Sequence, residues 1–352
     1  MFMCTYYYTV SAGVDSYTAG VKAPSDMCEI MRQRGYQPIY LYEYIRGRVN
    51  IFAKLKKLYS WIGLSLKVKR QSYIVMQYPY NLTTMAEPFI RMLQKWKCVK
   101  FIFLLHDIDS IRAYNKDTAN RQEKILPGID YLICHNEAMK EYLISRGIKS
   151  EKIFSLGIFD YLHHYDISDL AEKRKNNQTV IIAGNLNMRK SPYLEKLLKS
   201  ERNYTLHLYG PNFLPSSVYT NYSYFGQIDP GELPSKLEGS FGLVWDGDSL
   251  ETCEGSTGQY LRFNNPHKVS LYISSCIPVV VWSQSAIADY IQRNHLGLTI
   301  NSITELNSAI CNLDEQTYNT MIENVRIEAE KITHGWFLSK ALDQIENMES
   351  RM

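Results

Sequence analysis

Thr179-Val-Ile-Ile-Ala-Gly-Asn-Leu-Asn-Met-Arg-Lys-Ser-Pro-Tyr-Leu-Glu-Lys-Leu-Leu-Lys199 changes its periodicity halfway along. Thr179–Ala183 is an uninterrupted β-branched apolar run of strand length, and Pro192–Lys199 places a proline at a first helical position ahead of strong helix formers. An apolar strand followed by a helix is the repeating unit of a parallel sheet covered by helices. The alternation continues downstream through strands Thr205–Tyr209, Phe241–Trp245, Pro278–Trp282 and Gly297–Ile300, with helices Pro266–Ser275 and Ala286–Arg293 between them. Upstream it runs through strands Met3–Val10, Gln37–Tyr42, Ser72–Gln77, Lys100–Leu105 and Tyr131–Cys134, with helices Ser25–Arg34, Glu87–Lys97 and Asn136–Ser145. In the last of these helices Met139, Tyr142 and Leu143 fall on one stripe, and Gly147 supplies a stop.

A polar stretch, His163–Gln178, separates the two series and reads as a boundary loop. The expected fold class is therefore α/β, with two Rossmann-like doubly wound parallel sheets facing an interdomain cleft. The expected domains are residues 1–165, 166–334 and an amphipathic tail, 335–352, that either packs back on the first domain or makes a subunit contact. Ligands of such sheets sit beyond the carboxyl ends of the strands.

Bulk properties exclude several classes. The 352 residues are 45% hydrophobic and 21% charged, with 39 Lys+Arg against 36 Asp+Glu. That is too apolar for a disordered chain and too nearly neutral for a general nucleic-acid binder. The densest apolar runs, Phe101–Leu105 and Ile277–Trp282, are far shorter than a membrane span. Met1-Phe-Met-Cys-Thr5 lacks the basic and apolar regions of a signal peptide, and seven scattered cysteines without CxxC pairs fit reduced, mostly buried thiols. A cytoplasmic protein is expected.

Five strand-end loops are rich in chemistry. Ser11–Pro24 has small residues that let backbone approach a ligand, with Asp15 and Lys22 available to touch it; without a GxGxxG it does not read as a dinucleotide site. His106-Asp-Ile-Asp109 follows an apolar strand, where His106, Asp107 or Asp109 would serve as a general base; capping of a following helix is the alternative for Asp109. Gly184 to Pro192 joins a glycine, Arg189, Lys190 and a helix start, a combination that suits a diphosphate, although two solvated cations would look the same. Asp246-Gly-Asp248 resembles a divalent-metal Asp-x-Asp element, but a turn about Gly247, with its carboxylates on hydroxyls or caps, is the simpler reading. In the fifth loop Asn264 and Asn265 precede Pro266 as possible caps, and Lys268 falls in the first helical turn. A cation belongs at the other end of a helix unless an anionic ligand shares that terminus.

Arg46–Arg70 stands apart: eight Lys/Arg, no acid, and Phe52, Leu55, Tyr59, Ile62 and Leu66 on one helical stripe. Such a helix either rests on an anionic membrane surface or packs on its own protein with a solvated basic face, which is the commoner arrangement.

From His106-Asp-Ile-Asp109 onward the chain resembles the bacterial galactofuranosyltransferases of O-antigen and related surface polysaccharides. The resemblance is carried by His135-Asn136, Ile158-Phe-Asp-Tyr-Leu162, Ala183-Gly-Asn-Leu186, Trp245-Asp-Gly-Asp-Ser249, Glu251-Thr-Cys253, Phe263-Asn-Asn-Pro-His-Lys268 and Ser270-Leu-Tyr272. It is similar too to the glucosyltransferase that extends glycans on streptococcal serine-rich adhesins. The resemblance implies a GT-B fold, an acceptor in the N-terminal domain, a UDP-sugar donor in the C-terminal domain, inversion at the anomeric carbon and no required metal or other cofactor. It further implies that Gly184, Asn185 and Lys190 lie near the nucleotide and diphosphate, Lys268 on the diphosphate, and Asn264 and Asn265 along the donor pocket.

The expected reaction is transfer of a hexose, galactofuranose first, to a sugar acceptor. Asp107 or Asp109 acts as base, with His106 and Asp15 in reserve, and Arg189, Lys190 and Lys268 hold the leaving diphosphate. Asp246, Asp248 and Glu251 meet the sugar hydroxyls. The alternatives are a UDP-glucose-dependent glucosyltransferase acting on a protein-linked glycan, and a non-catalytic nucleotide-sugar-binding subunit. Expected partners are the UDP-sugar, a saccharide acceptor that lipid linkage would bring to the inner face of the membrane, and a second copy of the chain; nucleic acid is not among them.

Overall fold

The structure, a computed structural model, describes residues 5–12, 19–42, 51–80, 85–112 and 123–351. Its contacts divide the chain into two units: 1–16, 24–156 and 338–352 in the first, and 17–23 and 157–337 in the second. Each contains one six-stranded sheet, and every strand pairing among the described residues is parallel.

The first unit runs β1 (Tyr6–Ala12), α1 (Ala19–Gln33, of which the part before Pro24 groups with the second unit), β2 (Gln37–Tyr42), α2 (Ile51–Lys67), β3 (Tyr73–Tyr78), α3 (Ala86–Lys97), β4 (Lys100–Leu105), β5 (Tyr131–Cys134), α4 (Glu137–Ser145) and β6 (Ile153–Ser155). The order across its sheet is β2-β1-β3-β4-β5-β6, which reverses between β1 and β3. The strands β3, β4 and β5 are buried along almost their whole length, which is why they read as unbroken apolar runs rather than alternating ones. Asn136 caps α4 by accepting from the Met139 amide at 3.0 Å.

The second unit runs α5 (Ile167–Glu172), β7 (Thr179–Ala183), α6 (Tyr193–Lys199), β8 (Thr205–Tyr209), β9 (Tyr222–Tyr224), α7 (Leu233–Lys236), β10 (Phe241–Val244), α8 (Gly255–Tyr260), α9 (His267–Ser274), β11 (Val279–Trp282), α10 (Ala288–Arg293), β12 (Gly297–Ile300), α11 (Leu306–Cys311) and α12 (Glu315–Thr333). Its sheet order, β12-β11-β10-β7-β8-β9, reverses between β7 and β10. A doubly wound sheet leaves a crevice at such a reversal, beyond the carboxyl ends of the two strands.

The last helix, α13 (Trp336–Glu349), joins the first unit from Leu338 onward. Leu338, Ala341, Leu342 and Ile345 are buried, and each large one contributes about 1.5–3 kcal/mol. Charge pairs fix its register: Arg34 reaches Asp343 at 2.6 Å and Glu346 at 2.8 Å, and Tyr73 donates to Glu349 at 2.7 Å.

Three sequence expectations need correction. The stretch 163–178 is not a loose loop. Ile167, Leu170 and Ala171 make one face of α5 and pack with Cys276 and Ala329, while buried Arg174 donates to the carbonyls of Ser275 and Leu237 at 3.0 and 2.7 Å. The loop 11–24 ends early, because α1 starts at Ala19 and carries Lys22 and Pro24 inside it. The thiols are less buried than expected: among the described cysteines Cys134, Cys253 and Cys276 are buried, Cys28 is partly buried, and Cys98 and Cys311 are exposed.

Candidate active site

In the second unit, the loops after β7 and β10 emerge side by side, since the two strands pair in parallel at the reversal. The sequence places Gly184–Pro192 on one and Trp245–Cys253 on the other. Hydrogen bonds join them: Ser191 Oγ donates to Asp246 Oδ1 at 3.2 Å, the Tyr193 amide to the Gly247 carbonyl at 3.3 Å, and Lys196 Nζ to the Asp248 carbonyl at 2.7 Å.

Helix α9 is the crossover between β10 and β11, so its N-terminus opens on the same edge. Tyr272 ties it to the end of β7: its hydroxyl accepts from the Ala183 amide at 2.8 Å and donates to the Ile181 carbonyl at 3.3 Å. Its ring fits over Gly242, where a Cβ would lie 2.2 Å from the ring. This brings Lys268 against Gly184. A Cβ on Gly184 would lie 3.1 Å from Lys268 Cε and 3.8 Å from Nζ. Lys268 is partly buried in the first turn of α9, and no carboxylate pairs with its amine among the described residues. A cation there raises the positive potential of the helix start instead of balancing it, an arrangement fit for an anion.

Other buried polar atoms at this helix start have no partner among the described residues: Asn264 Oδ1, His267 Nε2 and Ser270 Oγ. Buried polar groups are almost always satisfied, so three orphans on one short segment set this helix start apart from an ordinary one. His267 stacks on Tyr161 with ring centroids 5.0 Å apart. Burial, helped by the Lys22 ammonium, pushes its imidazole down to about 4, so it is neutral at pH 7. Nothing in the identity of His267 or Ser270 signals these buried atoms, so the sequence alone assigns neither a role.

The other candidates take more specific places. Asn185 shapes its loop, accepting at Oδ1 from the Asn187 amide and the Asn212 side chain at 3.1 and 3.0 Å. Asn187 in turn receives the Arg189 amide at 2.9 Å. Arg189 and Lys190 are exposed, with no ion pair among the described residues. Asp246 Oδ1 accepts from the Gly247 amide at 2.9 Å as well as from Ser191, so a turn is what this stretch forms; Gly247, at φ +104°, has no room for a Cβ, which would lie 2.1 Å from the Glu254 carbonyl oxygen. The Asp248 carboxylate lies beside Gly255, and Glu251 accepts from Ser302 at 3.4 Å. Helix α9 starts one residue later than expected: Pro266 is its cap residue, and no side chain caps it. Asn265, buried, donates to the Gly157 carbonyl. Lys22, read as a ligand contact, instead donates to the Leu162 carbonyl at 2.6 Å and sits over the Tyr161 ring.

In the first unit, His106, Asp107 and Asp109 follow β4. His106 Nε2 bonds Gln77 at 2.7 Å and its ring meets Tyr80 edge-on. Asp107 is ion-paired with Arg112 at 2.8 Å. Asp109 does not cap: the Ile111 and Arg112 amides bond the Ile108 carbonyl instead. Burial raises its carboxyl above the ordinary aspartate range, against a smaller opposing pull from Arg112. Asp15 lies outside the described residues. Among the described residues no group of three or more His, Cys, Asp and Glu converges as metal ligands would.

Gly210, at the end of β8, lets β7 turn into the site loop. At φ +139°, its Cβ position lies 1.8 Å from the Gly184 carbonyl oxygen. Gly210→Ala is expected to destabilise the protein by about 3 kcal/mol or more through strain and displaced backbone, read as a drop in denaturation midpoint. An unchanged midpoint would show that the close approach is unnecessary.

This fold has counterparts in solved structures. The fold of sucrose-phosphate synthase from Thermosynechococcus elongatus superposes with a TM-score of 0.66 at 12% identity, covering 99% of this chain and 98% of that one. The class is that of glycosyltransferases with the GT-B fold. Residues 5–158 match the N-terminal domain and residues 180–345 the C-terminal domain of the glucosyltransferase 3-like family, and the chain belongs to that family. Beta-1,6-galactofuranosyltransferase WbbI of Escherichia coli (strain K12) is 35% identical over 269 residues, 74% of this chain and 76% of its own. Glucosyltransferase 3 of Streptococcus gordonii is 24% identical over 336 residues, 94% of this chain and 95% of its own. The chain is a glycosyltransferase, and no helix among its described residues is long and apolar enough to cross a membrane.

Proposed function

We propose that the chain transfers galactofuranose from UDP-galactofuranose to a saccharide acceptor in surface-polysaccharide synthesis, inverting the anomeric carbon and using no metal. The acceptor hydroxyl oxygen attacks the anomeric carbon as the bond to the β-phosphate oxygen breaks. UDP departs with the electron pair, and the hydroxyl proton passes to Asp109. Of the three groups after β4, Asp109 suits this role because Asp107 is held by Arg112 and His106 by Gln77. Burial makes its carboxylate a stronger base.

The observation that carries the proposal is the Lys268 amine, without a carboxylate partner among the described residues, in the first turn of α9 and against Gly184. Arg189 and Lys190 add charge from the neighbouring loop, so the leaving diphosphate is countered by three side-chain cations. The higher identity to WbbI favours galactofuranose; the longer coverage by the streptococcal protein favours glucose as the second reading.

A thermal-shift panel of UDP-galactofuranose, UDP-galactose, UDP-glucose and UDP distinguishes them. The true donor is expected to stabilise the protein by about 2.7 kcal/mol at a hundredfold excess over its Kd. Transfer from that donor should survive EDTA. Stabilisation by UDP-glucose alone would select the second reading, and no shift with any uridine nucleotide would end the proposal.

A further inference from the structure

The stripe on α2 does not face its own core. Ala53, Lys57, Trp61 and Leu64 do, with Trp61 stacked on Phe89 of α3 at 5.7 Å. Ile51, Phe52, Leu55, Tyr59, Ile62 and Leu66 are 40 to 79% exposed. At about 3.6 residues per turn, these six share roughly a 100° arc nearly opposite the buried face. An outward apolar stripe of this length is uncommon on a soluble surface and marks a contact site.

Its surroundings name the partner. Lys54, Lys56, Lys67, Lys69 and Arg70 are exposed, and no acid occurs between Ile51 and Ser72. Lys67 donates to the Pro38 carbonyl at 2.8 Å, which leaves its charge unneutralised. A second copy of the chain is a poor fit, because a two-fold interface would set these cations against their own images. An anionic bilayer offers apolar depth for the stripe and negative headgroups for its rim. We infer that α2 lies in the plane of an anionic membrane surface, its six apolar side chains inserted at the headgroup boundary and its cations on lipid phosphates.

The test uses the purified full chain without any sugar substrate, so its result does not depend on the proposed transfer. Co-sedimentation is measured with phosphatidylglycerol/phosphatidylethanolamine vesicles and with phosphatidylcholine vesicles. Binding is expected only to the first and should weaken with salt. Phe52→Ser/Leu66→Ser should weaken it about tenfold or more. Lys54→Gln/Lys69→Gln should weaken it by about fivefold per lysine. All four side chains are exposed, so the variants should melt with the parent protein. Failure of the parent to bind anionic vesicles, or equal binding by both variants, would overturn the inference. So would concentration-dependent self-association that Phe52→Ser/Leu66→Ser abolishes in a chain that ignores vesicles.

Discussion

Asp109→Asn is expected to lower the transfer rate by about 10²–10⁴-fold, the usual contribution of a positioned base, while leaving UDP affinity unchanged. Its stability should not fall. A carboxyl whose folded pKa is raised costs stability wherever it is ionised, above its unfolded value of about 3.9, and the neutral amide removes that cost. The pH dependence has the same origin. Burial holds Asp109 above the ordinary range, so the base loses its activity as pH falls through a value above about 3.9. Asp107→Asn should do less, because the carboxylate it removes is already paired with Arg112. A fully active Asp109→Asn beside an inactive Asp107→Asn would move the base to Asp107.

Lys268→Ala should fail differently. Loss of one preorganised charge on a departing diphosphate costs roughly 3–4 kcal/mol, or about 10²–10³-fold in kcat/KM, and UDP should bind more weakly as well. The amine has no carboxylate partner among the described residues, so no ion pair is lost there and the melting temperature should change little. Arg189→Ala and Lys190→Ala remove exposed charges that solvent screens, and a smaller effect is expected of each. Near-parent turnover in Lys268→Ala would remove the anion site from the start of α9. The two variants thus separate the halves of the reaction: one keeps the nucleotide and loses proton transfer, the other loses the leaving group's counter-charge.

Much of this is legible in the sequence. The strands β4, β5 and β7 have the bounds their sequence predicts, because burial on both faces writes itself as a short apolar run. Short edge strands leave no such mark: β6 and β9 span three residues each, and β9 is largely exposed. Lys268 was readable because a cation in a first helical turn contradicts the helix dipole, a local conflict that needs no tertiary knowledge. The orphaned atoms of Asn264, His267 and Ser270 were not, since burial is set by distant residues. Helix α2 shows the limit most clearly. Its period was plain, but two apolar faces competed for the core, and the narrower one with Trp61 took it. Periodicity gives a face; it does not say what the face meets.

The route of the chain bears on how the protein is made. Arg34 and Tyr73 lie early in the sequence, and their partners on α13, Asp343, Glu346 and Glu349, come after everything from Gly157 to Phe337 has been translated. On the ribosome the half that emerges first must wait with an uncovered flank, and the half that emerges second can be finished before it.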